Sequence, residues 1–179
     1  MLHLRVEFKI DDNGSLRDET YKSLSADVAA PYLLKPGDLL FARSGATAGK
    51  TFLYRESWGV CAYAGYLIRA SVDADKASPE FAKYFTSSLG YWQWISAVLI
   101  QATIQNVSAE KYADMWLPLP PVSEQRAIAD FLDRETGKID ALVTRIETAI
   151  ERLREYRAAL ITAAVTGKVD VRAAATSAD

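Results

Sequence analysis

The chain has 179 residues, half of them apolar, and a formal net charge of −2. That is enough chain to bury one sizeable core, which excludes disorder for the bulk of it, and the near-neutral charge argues mildly against nucleic acid unless specific motifs restore that partner. Apolar runs such as Val60 to Ile68 fall far short of the roughly 18 residues that span a bilayer, and no signal-type segment follows Met1, so a cytoplasmic location and no membrane partner are expected.

The first element is LHLRVEFKI, where apolar and polar residues alternate from Leu2 to Ile10 in the period-2 pattern of a half-buried strand. The turn chemistry of Asp11 to Gly14 then predicts a hairpin or a strand-turn start. Further on, Pro36-Gly37-Asp38 separates two apolar runs and marks a tight turn into a buried strand at Leu39 to Ala42. Gly45 and Gly49 bracket a small-residue loop, after which Thr51 to Tyr54 reads as a second strand. A third buried strand is expected around Cys61 to Arg69 in VCAYAGYLI.

Ser78-Pro79-Glu80 combines an N-cap, a proline suited to the first helical position and an early acid, so a helix through Phe81, Tyr84 and Phe85 follows, ending at Gly90. Tyr91 to Ile100 forms a second, aromatic helix, and Ser108 caps a short turn over Ala109 to Ala113. The prolines of WLPLPP forbid helix and keep that stretch extended. The fold class is therefore α+β: a small mixed domain over residues 1–122.

A long helix follows, from an N-cap at Ser123 to a left-handed C-cap at Gly167, with a short strand-like tail over residues 168–179. It would be roughly 65 Å long at about 1.5 Å per residue, more than a small domain needs to cover its core. Leu132, Ile139, Ile146, Leu153 and Leu160 recur every seven residues, with Ile128, Leu142, Ala149, Tyr156 and Ala163 between them. That pattern is a coiled-coil seam for another helix, flanked by charges such as Asp140, Arg145, Glu147 and Arg152. A helix laid on its own domain is the plainer alternative.

Catalytic chemistry is sparse. His3 has no second ligand near it in sequence, so no metal site is expected, and Cys61, the single cysteine, reads as core. No Ser/His/Asp set and no G-x-S-x-G elbow can be assembled. SGATAGKT at Ser44 to Thr51 invites a phosphate-loop reading, but three residues separate its glycines instead of four and a strand follows Lys50 where a helix should start. Two readings of the loop stay open. Its glycines permit close backbone approach to a polyanion, with Arg43, Ser44, Thr47 and Lys50 as donors, or it is a structural connection between strands. The same choice holds for Gln101, Thr103, Gln105 and Asn106 in IQATIQNVS, whose amides suit bidentate contacts to bases. Tyr91, Trp92 and Trp94 read as core before stacking platforms.

Together GDLLFARSGATAGK, TIQNVSAEKYADMWLPLPPVSEQRAIADFLD and the closing LREYRAALITAAVTGKVDV resemble the DNA-specificity subunit of type I restriction-modification systems, over roughly residues 30–172. The resemblance implies a target recognition domain joined to a conserved spacer helix, a unit such subunits usually carry twice and this chain carries once. It places DNA-binding residues at Arg43, Ser44, Gly45, Thr47, Gly49, Lys50, Thr103, Gln105 and Asn106, and a partner surface at Leu132, Ile139, Leu142, Ile146, Leu153, Tyr156 and Leu160. The implied partners are double-stranded DNA, modification subunits, indirectly a restriction motor-nuclease subunit, and a second copy of the chain paired through the helix. The chain would be non-catalytic and without cofactor, S-adenosylmethionine and adenine methylation belonging to the modification subunit. Against the family pattern, the expectation from the resemblance is of a chain that begins inside the recognition domain, without the usual opening strands. The alternative function is a truncated coiled-coil adaptor that binds the modification subunit without reading DNA.

Overall fold

The computed structural model describes residues 2–5, 21–100 and 106–170. Its organising element is strand β3, Asp38–Ala42, in which all five residues are buried. A strand covered on both faces needs apolar side chains at consecutive positions, and DLLFA supplies them after its first residue. β3 pairs antiparallel with β4, Thr51–Leu53, and with β5, Leu67–Ser71, in the order β4-β3-β5. Leu39 lies opposite Leu53 on one side and Ala70 on the other.

Alternation along β3 divides the core in two. Leu39 and Phe41 join Leu53, Ala82, Tyr91, Ile95, Val107 and Tyr112, whereas Leu40 and Ala42 join Leu34, Tyr54, Cys61 and Leu67. Helices supply the first cluster: α2 (Pro79–Phe85), α3 (Leu89–Ile100) and α4 (Ala109–Ala113). The second is closed by Phe52 of β4 and by the loop residues Trp58 and Tyr63. The architecture is thus α+β. Nearer the start of the chain β1, Leu2–Arg5, pairs antiparallel with β2, Tyr21–Leu24, followed by the one-turn helix α1, Ala26–Ala29. The expected strand residues 6–10 and the turn at Asp11 to Gly14 lie outside the described residues.

The turn before β3 forms as Pro36-Gly37-Asp38 predicts. Gly37 has φ 88°, and the Asp38 N–H donates to the Lys35 carbonyl at 3.0 Å. The Asp38 carboxylate accepts from the Lys35 N–H at 2.9 Å and from the Ser71 hydroxyl at 2.7 Å, with the Arg69 guanidinium 4.0 Å away, so the buried acid has both hydrogen-bond donors and a counter-charge. Ser78 caps α2 by accepting the Phe81 N–H at 3.4 Å, and Ser108 caps α4 by accepting the Lys111 N–H at the same distance.

Three expected boundaries move. Cys61 is fully buried, but the stretch it opens is not regular strand: Ala62 forms an isolated bridge to Leu33 in the preceding loop. A turn closed by the Leu67 N–H on the Ala64 carbonyl, 2.9 Å, interrupts the run, so the regular strand starts at Leu67. Gly90 does not end α2: Thr86 does, and Gly90 lies in the first turn of α3 because Ser88 accepts the Tyr91 N–H at 3.3 Å and caps that helix two residues earlier than expected. The long helix α5, Val122–Val165, starts before Ser123, with the Pro121 carbonyl accepting the Glu124 and Gln125 N–H groups.

The chain forms two compact units, Met1–Phe131 and Leu132–Asp179. The first includes the opening turns of α5, where Gln125 and Ala129 are buried. The described part of the second is helix and its C-cap. Gly167, at φ 72°, donates to the Ala164 carbonyl at 3.2 Å, and Lys168 donates to the Ala163 carbonyl at 2.8 Å, the two bonds of a Schellman ending. Exposed pairs Glu135–Lys138 and Glu151–Arg154 contribute a few tenths of a kcal/mol each, far less than packing would. Among the described residues no helix is long and apolar enough to cross a membrane.

Leu40 has no exposed surface and anchors the second cluster. Leu40→Ala is expected to lower stability by about 2–5 kcal/mol, read as a lower urea midpoint at unchanged slope. A midpoint equal to wild type would show that this cluster does not belong to the cooperative core.

Candidate nucleic-acid interface

The loop from Arg43 to Lys50 leaves the end of β3 and returns as β4. Its ends are tied by the Ala42 N–H on the Lys50 carbonyl, 2.8 Å, and the Gly49 N–H on the Ala42 carbonyl, 2.9 Å. Within it a single 3-10 turn, Gly45–Thr47, is closed by the Ala48 N–H on the Gly45 carbonyl at 3.0 Å. Ser44, Gly45, Thr47 and Lys50 are exposed and Arg43 is half-buried, so hydroxyls and cations stand on the open side.

The glycines do different work. Gly45 has φ 75° with open space where a side chain would stand. Gly49 has φ 87° and is buried, and a Cβ there would lie 2.8 Å from Ile95 Cγ2. It shapes the loop from beneath, on the side away from solvent. Its carbonyl accepts the Tyr91 hydroxyl at 2.6 Å, and Tyr112 donates to the Ala42 carbonyl at 3.3 Å. Burial, and secondly the Tyr112 hydroxyl, pushes the Tyr91 phenol far above its ordinary pKa, and burial raises Tyr112 as well, so both stay protonated donors. Tyr91 and Trp94 belong to the first core cluster, while Trp92 is 38% exposed.

The second predicted segment meets the first. Asn106 bridges to Ser44, and the Val107 N–H donates to the Arg43 carbonyl at 2.8 Å. The Arg43 N–H in turn donates to the Tyr66 carbonyl at 3.2 Å. Asn106 Oδ1 is buried and has no hydrogen-bond partner among the described residues. Gln101, Thr103 and Gln105 lie outside those residues. Beside the loop, Glu110 has its carboxyl held below the usual range, chiefly by the Ser108 hydroxyl and least by Arg43. Tyr66, Tyr91, Tyr112 and Val107 were not readable from sequence as loop supports: Tyr66 and Val107 act through their backbone groups, and the Tyr91 and Tyr112 hydroxyls reach carbonyls 42 and 70 residues away.

In the second unit Leu132 is half-buried, and Ile139, Leu142, Ile146, Leu153, Tyr156 and Leu160 are all exposed, between 49% and 66%. A row of large apolar side chains at this exposure on one helix face is a surface that association would dry.

The family model described as the type I restriction modification DNA specificity domain matches residues 10–152. The chain belongs to that family. It is 29% identical over 157 residues to the type I restriction enzyme EcoBI specificity subunit of Escherichia coli, covering 86% of this chain and 31% of that subunit. It is also 33% identical over 89 residues to the EcoKI specificity subunit of Escherichia coli strain K12, covering 50% of this chain and 19% of the relative. The chain therefore spans less than a third of the length of these specificity subunits. Among solved structures, a chain from a type I R-M system superposes with a TM-score of 0.59 over 74% of this chain and 31% of its own length, at 21% identity, which establishes a shared fold. The matched span of the specificity domain contains the loop, Asn106 and the first half of α5.

The two glycines give a direct check on the loop. Gly49→Ala is expected to cost about 1–3 kcal/mol more than Gly45→Ala, because both meet the left-handed penalty but only Gly49 meets Ile95. Thermal unfolding of the two variants measures the difference, and equal destabilisation would show that Ile95 moves aside.

Proposed function

We propose that this chain reads one part of a split DNA sequence, as a non-catalytic specificity unit of a type I restriction-modification complex. One observation carries the reading: the Ser44–Asn106 bridge brings Asn106 onto the sequence-distant Arg43–Lys50 loop, a polar surface inside the span matched by the specificity-domain model. On that surface Arg43 and Lys50 contact phosphates, Ser44 and Thr47 donate to phosphate or base edges, and Gly45 lets the backbone approach closely. Thr103, Gln105 and Asn106 supply amide and hydroxyl groups for base readout. Methyl transfer from S-adenosylmethionine to adenine, and cleavage, are assigned to the partner modification and restriction subunits.

The exposed seam supports pairing of α5 with the helix of a second copy, so that two single-unit chains make the equivalent of one subunit with two readers. Modification subunits would dock along that assembly in the cytoplasm. The domains follow: recognition over 1–122, spacer over 123–167, and a tail over 168–179.

Selection from random duplexes by the chain together with its modification subunit is expected to enrich a bipartite sequence; recovery of no enriched sequence overturns the reading. Arg43→Ala and Lys50→Ala should each weaken binding across all sequences and reduce the slope of log K against log salt by about 0.9 for every phosphate no longer neutralised. An unchanged slope would remove those two side chains from the interface. For pairing, Ile146→Asp and Leu153→Asp are expected to convert a dimer into a monomer in sedimentation, whereas a variant mass equal to wild type would count against the seam.

A further inference from the structure

Gln125, in the first turns of α5, has no exposed surface and uses both ends of its amide. Its Oε1 accepts the Ser78 N–H at 2.9 Å, while its Nε2 donates to the Pro120 carbonyl at 2.7 Å and to the Lys76 carbonyl at 3.1 Å. These partners are 47, 5 and 49 residues away in sequence. One neutral side chain thus ties three separate backbone groups, the Ser78 N–H in a buried bond and the Pro120 and Lys76 carbonyls in partly buried ones, and loss of the buried bond would leave an unpaired donor.

The place of those partners gives the contact its meaning. Ser78 is the N-cap of α2, with its own hydroxyl accepting from Phe81 and donating to Glu80. Pro79 beside it stands against Gly37, where an added Cβ would lie 3.2 Å from the proline ring, at the turn that feeds β3. Pro120 lies near the end of the extended segment that leads into α5. Ala129, one turn after Gln125 on the same helix face, is 3% exposed. The root of α5 is therefore held by a polar clamp and an apolar contact, and the clamp reaches the secondary structure from which the Arg43–Lys50 loop projects.

We infer that Gln125 is a positioning residue for DNA recognition: it holds the root of α5 on the recognition unit, and through it sets which separation between the two half-sequences a paired assembly accepts. The inference rests on the DNA-reading dimer proposed above. Only an amide of this length serves. Glutamate keeps the acceptor but sets a carboxylate against two carbonyls, methionine fills the volume with no hydrogen bonds, and asparagine withdraws the amide by one methylene.

The test uses the full chain with its modification subunit and a duplex pool in which the two selected half-sequences are constant and the spacing between them varies. Wild type should favour one spacing. Gln125→Met and Gln125→Asn should keep both half-sequences but lower the preference for that spacing over its neighbours by about tenfold, the factor that one hydrogen-bonded lock of ordinary strength supplies. Leu40→Ala, which weakens the core without touching the clamp, should reduce binding at every spacing alike. Gln125 variants that behave as Leu40→Ala does, or that leave the spacing preference intact, overturn the inference while the DNA reading stands. Failure of the wild-type chain to enrich any bipartite sequence overturns the DNA reading and this inference with it.

Discussion

The Tyr91 hydroxyl on the Gly49 carbonyl, 2.6 Å, is the interaction on which the Arg43–Lys50 loop depends. A loop of small and polar residues has little to pack and would be free to rearrange, losing the fixed geometry that readout of a surface requires. Here its closing peptide is gripped from within by a phenol with no exposed surface. Tyr91 can reach because Ser88 starts α3 early, and because α3 lays Ile95 against Gly49, where only hydrogen fits. Tyr112 repeats the device at the other end of the loop, on Ala42. The sequence SGATAGK, which by composition alone would be free to move, is therefore mounted on the packed core, and its exposed donors are held in place by it.

The two faces of the same sheet are covered by different means. β3 sends alternate side chains into two clusters, and only one of them is roofed by helices. The other depends on aromatic residues, with Tyr54 donating to the Gly59 carbonyl at 2.8 Å and the Arg69 guanidinium lying 5.3 Å from the centre of the Tyr63 ring. Arg69 also donates to the Leu33 carbonyl at 3.1 Å, which ties the long connection before β3 to β5. Those loops spend their side chains on the core, whereas the Arg43–Lys50 loop turns its hydroxyls and Lys50 outward.

Past Phe131 the energetic logic changes. The helix body has its own backbone bonds, threonine hydroxyls returned to carbonyls four residues back, and a few exposed ion pairs. None of these accounts for leucine, isoleucine and tyrosine held half or more exposed on one face. Burial of such side chains is worth about 1.5–3 kcal/mol each, so a helix carrying them alone forgoes most of the stabilisation its sequence encodes. That imbalance is the physical reason for reading α5 as half of an interface.

Local chemistry was legible wherever a residue acts on its immediate neighbours. Pro36-Gly37-Asp38, Ser78-Pro79, Ser108 and Gly167 each form the turn or cap that their side chains dictate, and the heptad repeat of α5 appears as one apolar stripe. The boundaries expected at Gly90, Cys61 and Ser123 fall elsewhere because competing caps and turns at Ser88, Ala64–Leu67 and Pro121 lie within a few residues and win by hydrogen bonds that composition does not rank. By itself, then, the sequence determined the α+β class, the buried central strand, the long helix with its apolar seam and the types of residue offered by the two polar segments. Only the tertiary structure decided that Ser44 meets Asn106, that Gly49 supports the loop from beneath, and that Gln125 clamps the root of the helix. Those contacts join positions 42 to 62 residues apart, and a pairing over such a distance leaves no periodicity in the chain from which it could be read.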